Sequence, residues 1–201
     1  MPKFRAIGFD WGGVLNGKPS NFYGKRAAEL MGVQYDDYLQ AYFHHNKRVN
    51  RGEISWQELW QLVCAELGRA DLADEIHRLS MLANQYDPNH ETLSLVDELH
   101  KLGYKTGLLS NNTIEKAHEL REQKLDAHFD VFDISAETGL VKPEPEAFAH
   151  FAAQLGVELT ELIFIDDSPK SLSTASTCGF TPILFESNVQ LRATLHDIGV
   201  L

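Results

Sequence analysis

Phe9-Asp10-Trp11-Gly12-Gly13-Val14 closes a strand-like apolar run that begins at Phe4, and three other stretches answer it: Leu109-Ser110-Asn111-Asn112, Lys142-Pro143 and Ile165-Asp166-Asp167-Ser168. The second and fourth stretches also end apolar runs, Thr106 to Leu109 and Leu162 to Ile165, and a turn or helix start follows each. In an open parallel sheet the carboxyl ends of the strands share one edge, so residues far apart in sequence gather in one crevice. That crevice would hold the carboxylates of Asp10, Asp166 and Asp167, the hydroxyl of Ser110 and the ammonium of Lys142. Such an inventory suits metal-assisted nucleophilic chemistry on an anionic substrate.

The rhythm of the chain around these stretches supports the sheet. From Glu91 onward, helix and strand alternate. Leu93, Val96, Leu99 and Leu102 make a helix face that ends at Gly103, and Thr106 to Ser110 reads as a strand. Ala147, Phe148, Phe151, Ala152 and Leu155 form a stripe closed by Gly156, and Leu172, Ala175 and Cys178 form another closed by Gly179. Strands at Leu162 to Asp166 and Thr181 to Phe185 flank the latter. The expected class is α/β, a Rossmann-like parallel sheet with helices on both faces.

Between the first motif and Tyr86 the pattern is helical. Asp36 to Val49 carries Tyr38, Leu39, Tyr42 and Phe43 on one stripe. Ser55-Trp56-Gln57-Glu58 forms a capping box, opening a helix with Trp56, Leu59, Trp60, Val63 and Leu67 at helical spacing. A further helix is predicted over Asp71 to Tyr86, ended by Asp87-Pro88. The expected division is a core domain of residues 1–15 and 88–201 and a small α-helical cap domain of residues 16–87.

Composition narrows the function. The 201 residues are 43% hydrophobic, enough for one core and a modest insertion. No apolar run approaches a membrane span. The N-terminus shows no signal-peptide pattern, so a cytoplasmic location is expected. A formal net charge of −11 argues against nucleic acid or an anionic membrane surface as partner, and it makes local cations the means of holding an anion. Cys64 and Cys178 lack metal-ligand spacing and read as reduced core thiols.

The order and content of the four motifs resemble the haloacid dehalogenase-like (HAD) hydrolase superfamily. Phe132 to Pro145 is similar to that family's extended third motif, and the helical insertion after the first strand resembles the small cap of one subgroup. The resemblance implies a central first strand with the second and fourth beside it. It implies that Asp10 attacks phosphorus and forms an aspartyl phosphate, that Ser110 hydrogen-bonds a phosphoryl oxygen with Asn111 supporting its loop, and that Lys142 neutralises the reacting pair. Mg²⁺ would be held by Asp10, Asp167 and the Gly12 carbonyl, with Asp166 acting through water or an outer contact. Backbone N–H groups of Trp11 and Gly12 would face the transferring group, and Gly12-Gly13 leaves room for that approach.

The expected function is therefore a Mg²⁺-dependent phosphatase acting on a small phosphorylated metabolite. A 2-haloacid dehalogenase and a non-catalytic binding module on the same fold are the alternatives. Most family phosphatases carry a second Asp two residues after the nucleophile, where this chain has Gly12. The proton for the leaving oxygen must then be dispensable, or come from a cap residue such as His44 or His45. Those two, with Asn46, Lys47, Arg48 and Arg51, are the cap's candidates for substrate contact.

Overall fold

The computed structural model describes residues 3–17, 23–83 and 86–201. Its described strands, Ala6–Phe9 (β1), Lys105–Ser110 (β2), Val131–Ile134 (β3), Leu162–Asp166 (β4) and Thr181–Leu184 (β5), pair in parallel in the order β3-β2-β1-β4-β5. The first strand is central, flanked by β2 and β4, as the resemblance implied. Side chains alternate across a strand, so β1 divides its residues between two cores. Ile7 and Phe9 join Leu108, Ile163, Ile165 and Ile183 on one face, under Leu93, Val96 and Leu99 of α5 (His90–Lys101), Leu120 of α6 (Ile114–Glu122) and Leu191 and Leu195 of α10 (Asn188–Asp197). Ala6 lies on the other face with Leu109, Leu162 and Phe164, under Phe148, Phe151 and Leu155 of α8 (Pro145–Leu155).

Two glycines make the second face close. Gly8 and Gly107 pair across β1 and β2, and a Cβ on either would lie 2.6 Å from the Phe151 ring. The bare backbone at these positions is the notch into which the α8 aromatic side chain fits, and Phe164 of β4 crowds Gly8 equally.

Four helices are inserted between β1 and β2: Gly24–Met31 (α1), Tyr35–Asn50 (α2), Trp56–Glu66 (α3) and Ala73–Ala83 (α4). They have a core of their own, centred on Met31, Tyr38, Leu59, Trp60, Val63 and Ile76. The Ser55 capping box forms as predicted, with the hydroxyl accepting from the Glu58 N–H and the carboxylate from the Ser55 N–H at 2.7 Å. The outgoing and returning chains run side by side at the neck, where the Gly17 N–H donates to the Asp87 carbonyl and the Asn89 N–H to the Leu15 carbonyl. No described helix is long and apolar enough to cross a membrane.

Several sequence expectations need correction. The helix expected over Asp71 to Tyr86 is a 3₁₀ turn at Ala70–Leu72 followed by α4; residues 84 and 85 lie outside the described residues. The stripe Leu172, Ala175 and Cys178 is helical only in part: turns run over residues 169–174, and Ala175–Cys178 (α9) alone of that segment is helical. Ser and Thr are weaker helix formers than Ala or Leu, and Thr174 gives its hydroxyl to the Pro143 carbonyl of a distant loop. The helix after Ser110 is capped by Thr113, whose hydroxyl accepts from the Lys116 N–H. The strand β3, the one-turn helix Ser135–Thr138 (α7) and α10 were not anticipated. Both cysteines are free, Cys64 buried and Cys178 half-buried.

Gly8→Ala is expected to destabilise the fold by about 1–3 kcal/mol, the usual cost of overpacking a filled core. Urea unfolding should show a lower midpoint at an unchanged slope. An unaltered midpoint would mean that Phe151 and Phe164 can yield.

Candidate active site

The carboxyl ends of β1, β2 and β4 bring the predicted residues together. Asp10 follows β1 directly and its N–H donates to the Ile165 carbonyl, which fixes it beside the end of β4. The Lys142 ammonium lies between two carboxylates, 2.8 Å from Asp10 Oδ1 and 2.6 Å from Asp166 Oδ2, with its side chain 2% exposed. It also stands 4.9 Å from the centroid of the Phe164 ring. Lys142 comes from a loop rather than a strand, and Asn111 holds that loop. The Asn111 side-chain amide donates to the Lys142 carbonyl and its oxygen accepts from the Lys142 N–H, both at 2.8 Å. Thr174 adds a hydroxyl donated to the Pro143 carbonyl at 2.8 Å.

Oxygens of Asp10, Asp166 and Asp167 all lie within 4.8 Å of one another. Asp166 is buried and fully engaged, by Lys142 and by the Ser168 N–H at 2.9 Å. Asp167 accepts no hydrogen bond from another described side chain, and it packs on Gly13. A Cβ at Gly13 would overlap the Asp167 carboxylate, and its φ of +72° is one that glycine adopts freely. Ser110 is buried at the end of β2, and its hydroxyl bonds to none of the described residues. A polar group left so, beside the α6 N-terminus, is available to a ligand.

Burial dominates the electrostatics. It pushes the Asp10 carboxyl up to about 6; the Lys142 ammonium opposes that shift, and Asp166 and Asp167 add to it. Asp167 is raised by burial and then by Asp166. Burial disfavours the charged form of Lys142, but Asp10 and Asp166 outweigh it and hold the amine above its ordinary value. Three carboxylates against one ammonium leave an excess of negative charge in a partly dry crevice. Hard oxygen donors in that setting fit Mg²⁺, with Asp10 and Asp167 as the ligands that Lys142 leaves most available.

Other predicted residues lie elsewhere. The Trp11 indole is buried and stacked on Tyr86 at 5.7 Å between centroids, so only its backbone can serve a ligand. Gly12 sits in a turn bridged to Asn16. His44 and His45 do not join the carboxylate cluster: both ring edges meet Glu66 Oε2 of α3, at 2.9 and 2.8 Å. Arg48 turns to Glu53, 3.8 Å away. In this arrangement His44 and His45 serve Glu66, and neither is brought to the carboxylates beside which a leaving oxygen would lie.

The insert meets the core through a different stripe of α2, which sequence reasoning missed. Phe43, Lys47 and Arg51 follow at intervals of four and share a face. The Phe43 ring lies 5.5 Å from the Lys170 ammonium, and Lys47 and Arg51 reach Glu144 at 2.8 and 2.7 Å. Hydrogen bonds from Lys47 and then Arg51 hold the Glu144 carboxyl below its usual range. Gly52 presses on the Ala136 carbonyl of α7, leaving no space for a Cβ. A second seam between insert and core is an opening lined by Trp56, Met81, Asn112, Thr113 and Lys116, next to the Ser110 loop. Only the i, i+4 spacing of Phe43, Lys47 and Arg51 could have signalled the stripe; Glu144 had no signal of its own.

A raised carboxyl pKa makes the folded state bind more protons than the unfolded, so stability falls as pH rises from about 4 through about 6. Without divalent cations, Asp10→Asn is expected to be more stable than the parent at pH 7–8, by roughly 1–3 kcal/mol. The difference should shrink toward pH 4. Thermal melts in EDTA across this range check it, and an Asp10→Asn variant less stable than the parent at neutral pH would contradict the burial account.

Residues 4–179 match the family of haloacid dehalogenase-like hydrolases. Mouse bifunctional epoxide hydrolase 2 is 23% identical over 215 residues, covering 96% of this chain; this chain spans only 38% of that protein's length. Phosphatase MT3486 of Mycobacterium tuberculosis (strain CDC 1551 / Oshkosh) is 30% identical over 141 residues, 68% of this chain and 63% of its own. The HAD family enzyme of Bacteroides thetaiotaomicron, solved as the wild-type protein with magnesium and inorganic phosphate, superposes with a TM-score of 0.66 at 22% identity, over 91% of this chain and 94% of that one. With the parallel sheet, the helical insertion after β1 and a match spanning most of its length, the chain belongs to the haloacid dehalogenase-like hydrolase family.

Proposed function

We propose that the protein is a Mg²⁺-dependent phosphatase that hydrolyses a small phosphorylated metabolite through an aspartyl phosphate on Asp10. The observation that carries this reading is the buried Asp10–Lys142–Asp166 arrangement with Asp167 open beside it. Two relatives support it by the phosphatase name of one and the magnesium and phosphate held by the other.

In this reading Asp10 acts as nucleophile. Its carboxylate forms a bond to phosphorus as the bond from phosphorus to the leaving oxygen breaks, and water then attacks the acyl phosphate to release inorganic phosphate and restore Asp10. Lys142 holds the carboxylate oriented and balances charge as it approaches an anionic ester. The Ser110 hydroxyl and the backbone N–H groups around Gly12 and Gly13 supply donors to the phosphoryl oxygens. Asn111 keeps the Lys142 loop in place. Magnesium, when bound, neutralises phosphoryl charge and helps to position the group. The dehalogenase alternative has no use for Asp167, whose raised carboxyl beside Asp166 is a liability without a cation.

Gly12 places no acid near the leaving oxygen, and His44 and His45 are occupied by Glu66. The leaving group must therefore depart largely unaided, which favours weakly basic oxygens such as an aryl or anomeric one. General acid help of this kind is typically worth about 10² to 10⁴ in rate.

Asp10→Asn is expected to remove phosphate release while leaving a cooperative melting transition, and EDTA should remove release from the parent reversibly. Phosphate release from the Asp10→Asn variant at the parental rate would exclude the nucleophile. Across a graded series of phosphate esters, with chemistry limiting, turnover should fall steeply as leaving-group pKa rises, and His44→Ala should leave that slope unchanged. A flat dependence in the parent would show that an acid is present after all. No turnover of any ester would favour a binding module.

A further inference from the structure

A second cluster of ligating side chains lies wholly within the helical insert, away from the carboxylates. His44 Nδ1 and His45 Nε2 both contact Glu66 Oε2, at 2.9 and 2.8 Å, and the three ligand atoms lie within 4.8 Å of one another. Neighbouring helical residues diverge by about 100°, so two adjacent histidines seldom aim at one point. Here they do so by presenting different nitrogens, and the rings stack with centroids 4.5 Å apart. The other Glu66 oxygen receives no hydrogen bond from the described residues. We propose that His44, His45 and Glu66 bind one divalent transition-metal ion of the zinc or copper type.

The donor set selects the ion class. Two imidazoles and one carboxylate suit Zn²⁺, Ni²⁺ or Cu²⁺ and offer little to Mg²⁺ or Ca²⁺, which want several oxygens. Metal–nitrogen and metal–oxygen bonds of about 2.0–2.2 Å place donors 2.8–2.9 Å apart at roughly right angles about the ion. That angle belongs to square-planar or octahedral coordination; a tetrahedral ion needs donors about 3.3 Å apart, a small opening of exposed rotamers. The His45 side chain is 13% exposed and so held by its surroundings, whereas His44 is 67% and Glu66 35% exposed, which leaves the remaining coordination positions to water. The hydrogen bond from His44, aided by that from His45 and opposed by slight burial, holds Glu66 below the usual carboxylate range. It is an anionic ligand at neutral pH.

The position gives the ion a structural consequence. On α2, His44 and His45 lie about 60° and 160° round the helix from the middle of the Phe43–Lys47–Arg51 stripe that rests on the core. An ion here would tie α2 to the end of α3 on the flank of that contact, bracing the helix that carries it. An ion that binds the folded insert and not the unfolded chain stabilises the fold by RT ln(1 + L/Kd), with L the free ion concentration, a gain that rises with the logarithm of L once the site is filled.

The test is calorimetric titration of Zn²⁺ into protein freed of any polyhistidine tag, with millimolar Mg²⁺ present throughout to fill the carboxylate site. The parent and Asp10→Asn should each bind one equivalent and melt at a higher temperature with Zn²⁺ than without. His44→Ala and Glu66→Gln alter exposed side chains and should fold as the parent does. Each should weaken Zn²⁺ binding by at least the roughly 10- to 100-fold that loss of an outer-shell partner costs. With Cu²⁺, the paramagnetic resonance of the parent should show two coordinating imidazoles, and that of His44→Ala one. Absence of Zn²⁺ uptake by the parent would overturn the proposal. So would uptake undiminished in both variants, or uptake lost in Asp10→Asn, which would put the ion at the carboxylates.

Discussion

One buried ammonium organises this molecule. Lys142 bridges Asp10 at the end of β1 and Asp166 at the end of β4, and neither carboxylate could sit so close to the other without it. A buried ion pair adds little net stability, because desolvation offsets much of the attraction, but removing the shared ammonium would leave two buried carboxylates uncompensated and is the costly change. The arrangement therefore fixes geometry more than it strengthens the fold. The constraint extends outward: Asn111 clamps the Lys142 backbone from the end of β2, and Thr174 clamps Pro143 from the turns after β4. Three neighbouring strands are thus tied at one edge by a loop that belongs to none of them.

The same loop reaches the helical insert. Glu144, two residues beyond Lys142, receives Lys47 and Arg51 from α2, so the residue that sets the crevice and the residue that seats the insert are almost adjacent in the chain. The Glu144 contacts are partly exposed and individually weak. An insert core that is separate from both sheet cores, a narrow neck at residues 16–17 and 87–89, and weak polar contacts at the seam are the features of a unit that can shift without disturbing the sheet.

The sheet and the crevice were legible in the sequence because strand ends and charged motifs coincide. Asp10, Ser110, Asp166 and Asp167 each follow an apolar run, and Lys142 is the cation between them. What escaped reading depends on partners that no local pattern encodes. Val131–Ile134 is a four-residue edge strand containing Asp133, too short for periodicity to separate from a loop. Ser168 to Thr174 offers an N-cap and a proline at the right places, yet its hydroxyl-rich continuation forms turns. His44 and His45 read as divergent on a helix, and only the position of Glu66 on a neighbouring helix makes them converge.

Charge places a last constraint on the proposed chemistry. The protein carries a net −11, and its crevice holds three carboxylates whose close ammonium, Lys142, is already shared between two of them. An anionic ester brought there meets Asp10 as a like charge, and Asp10 must be ionised to act while burial favours its protonated form. Asp10 and Asp167 would hold a divalent ion, whose charge would favour the ionised form of Asp10 and offset the negative field that the ester meets. Affinity for substrate and readiness of the nucleophile then depend on the same ion. On the proposed reading, such a crevice would stay unreactive toward anions until its metal was bound, and the negative charge gathered around Lys142 would then be part of the metal's binding site.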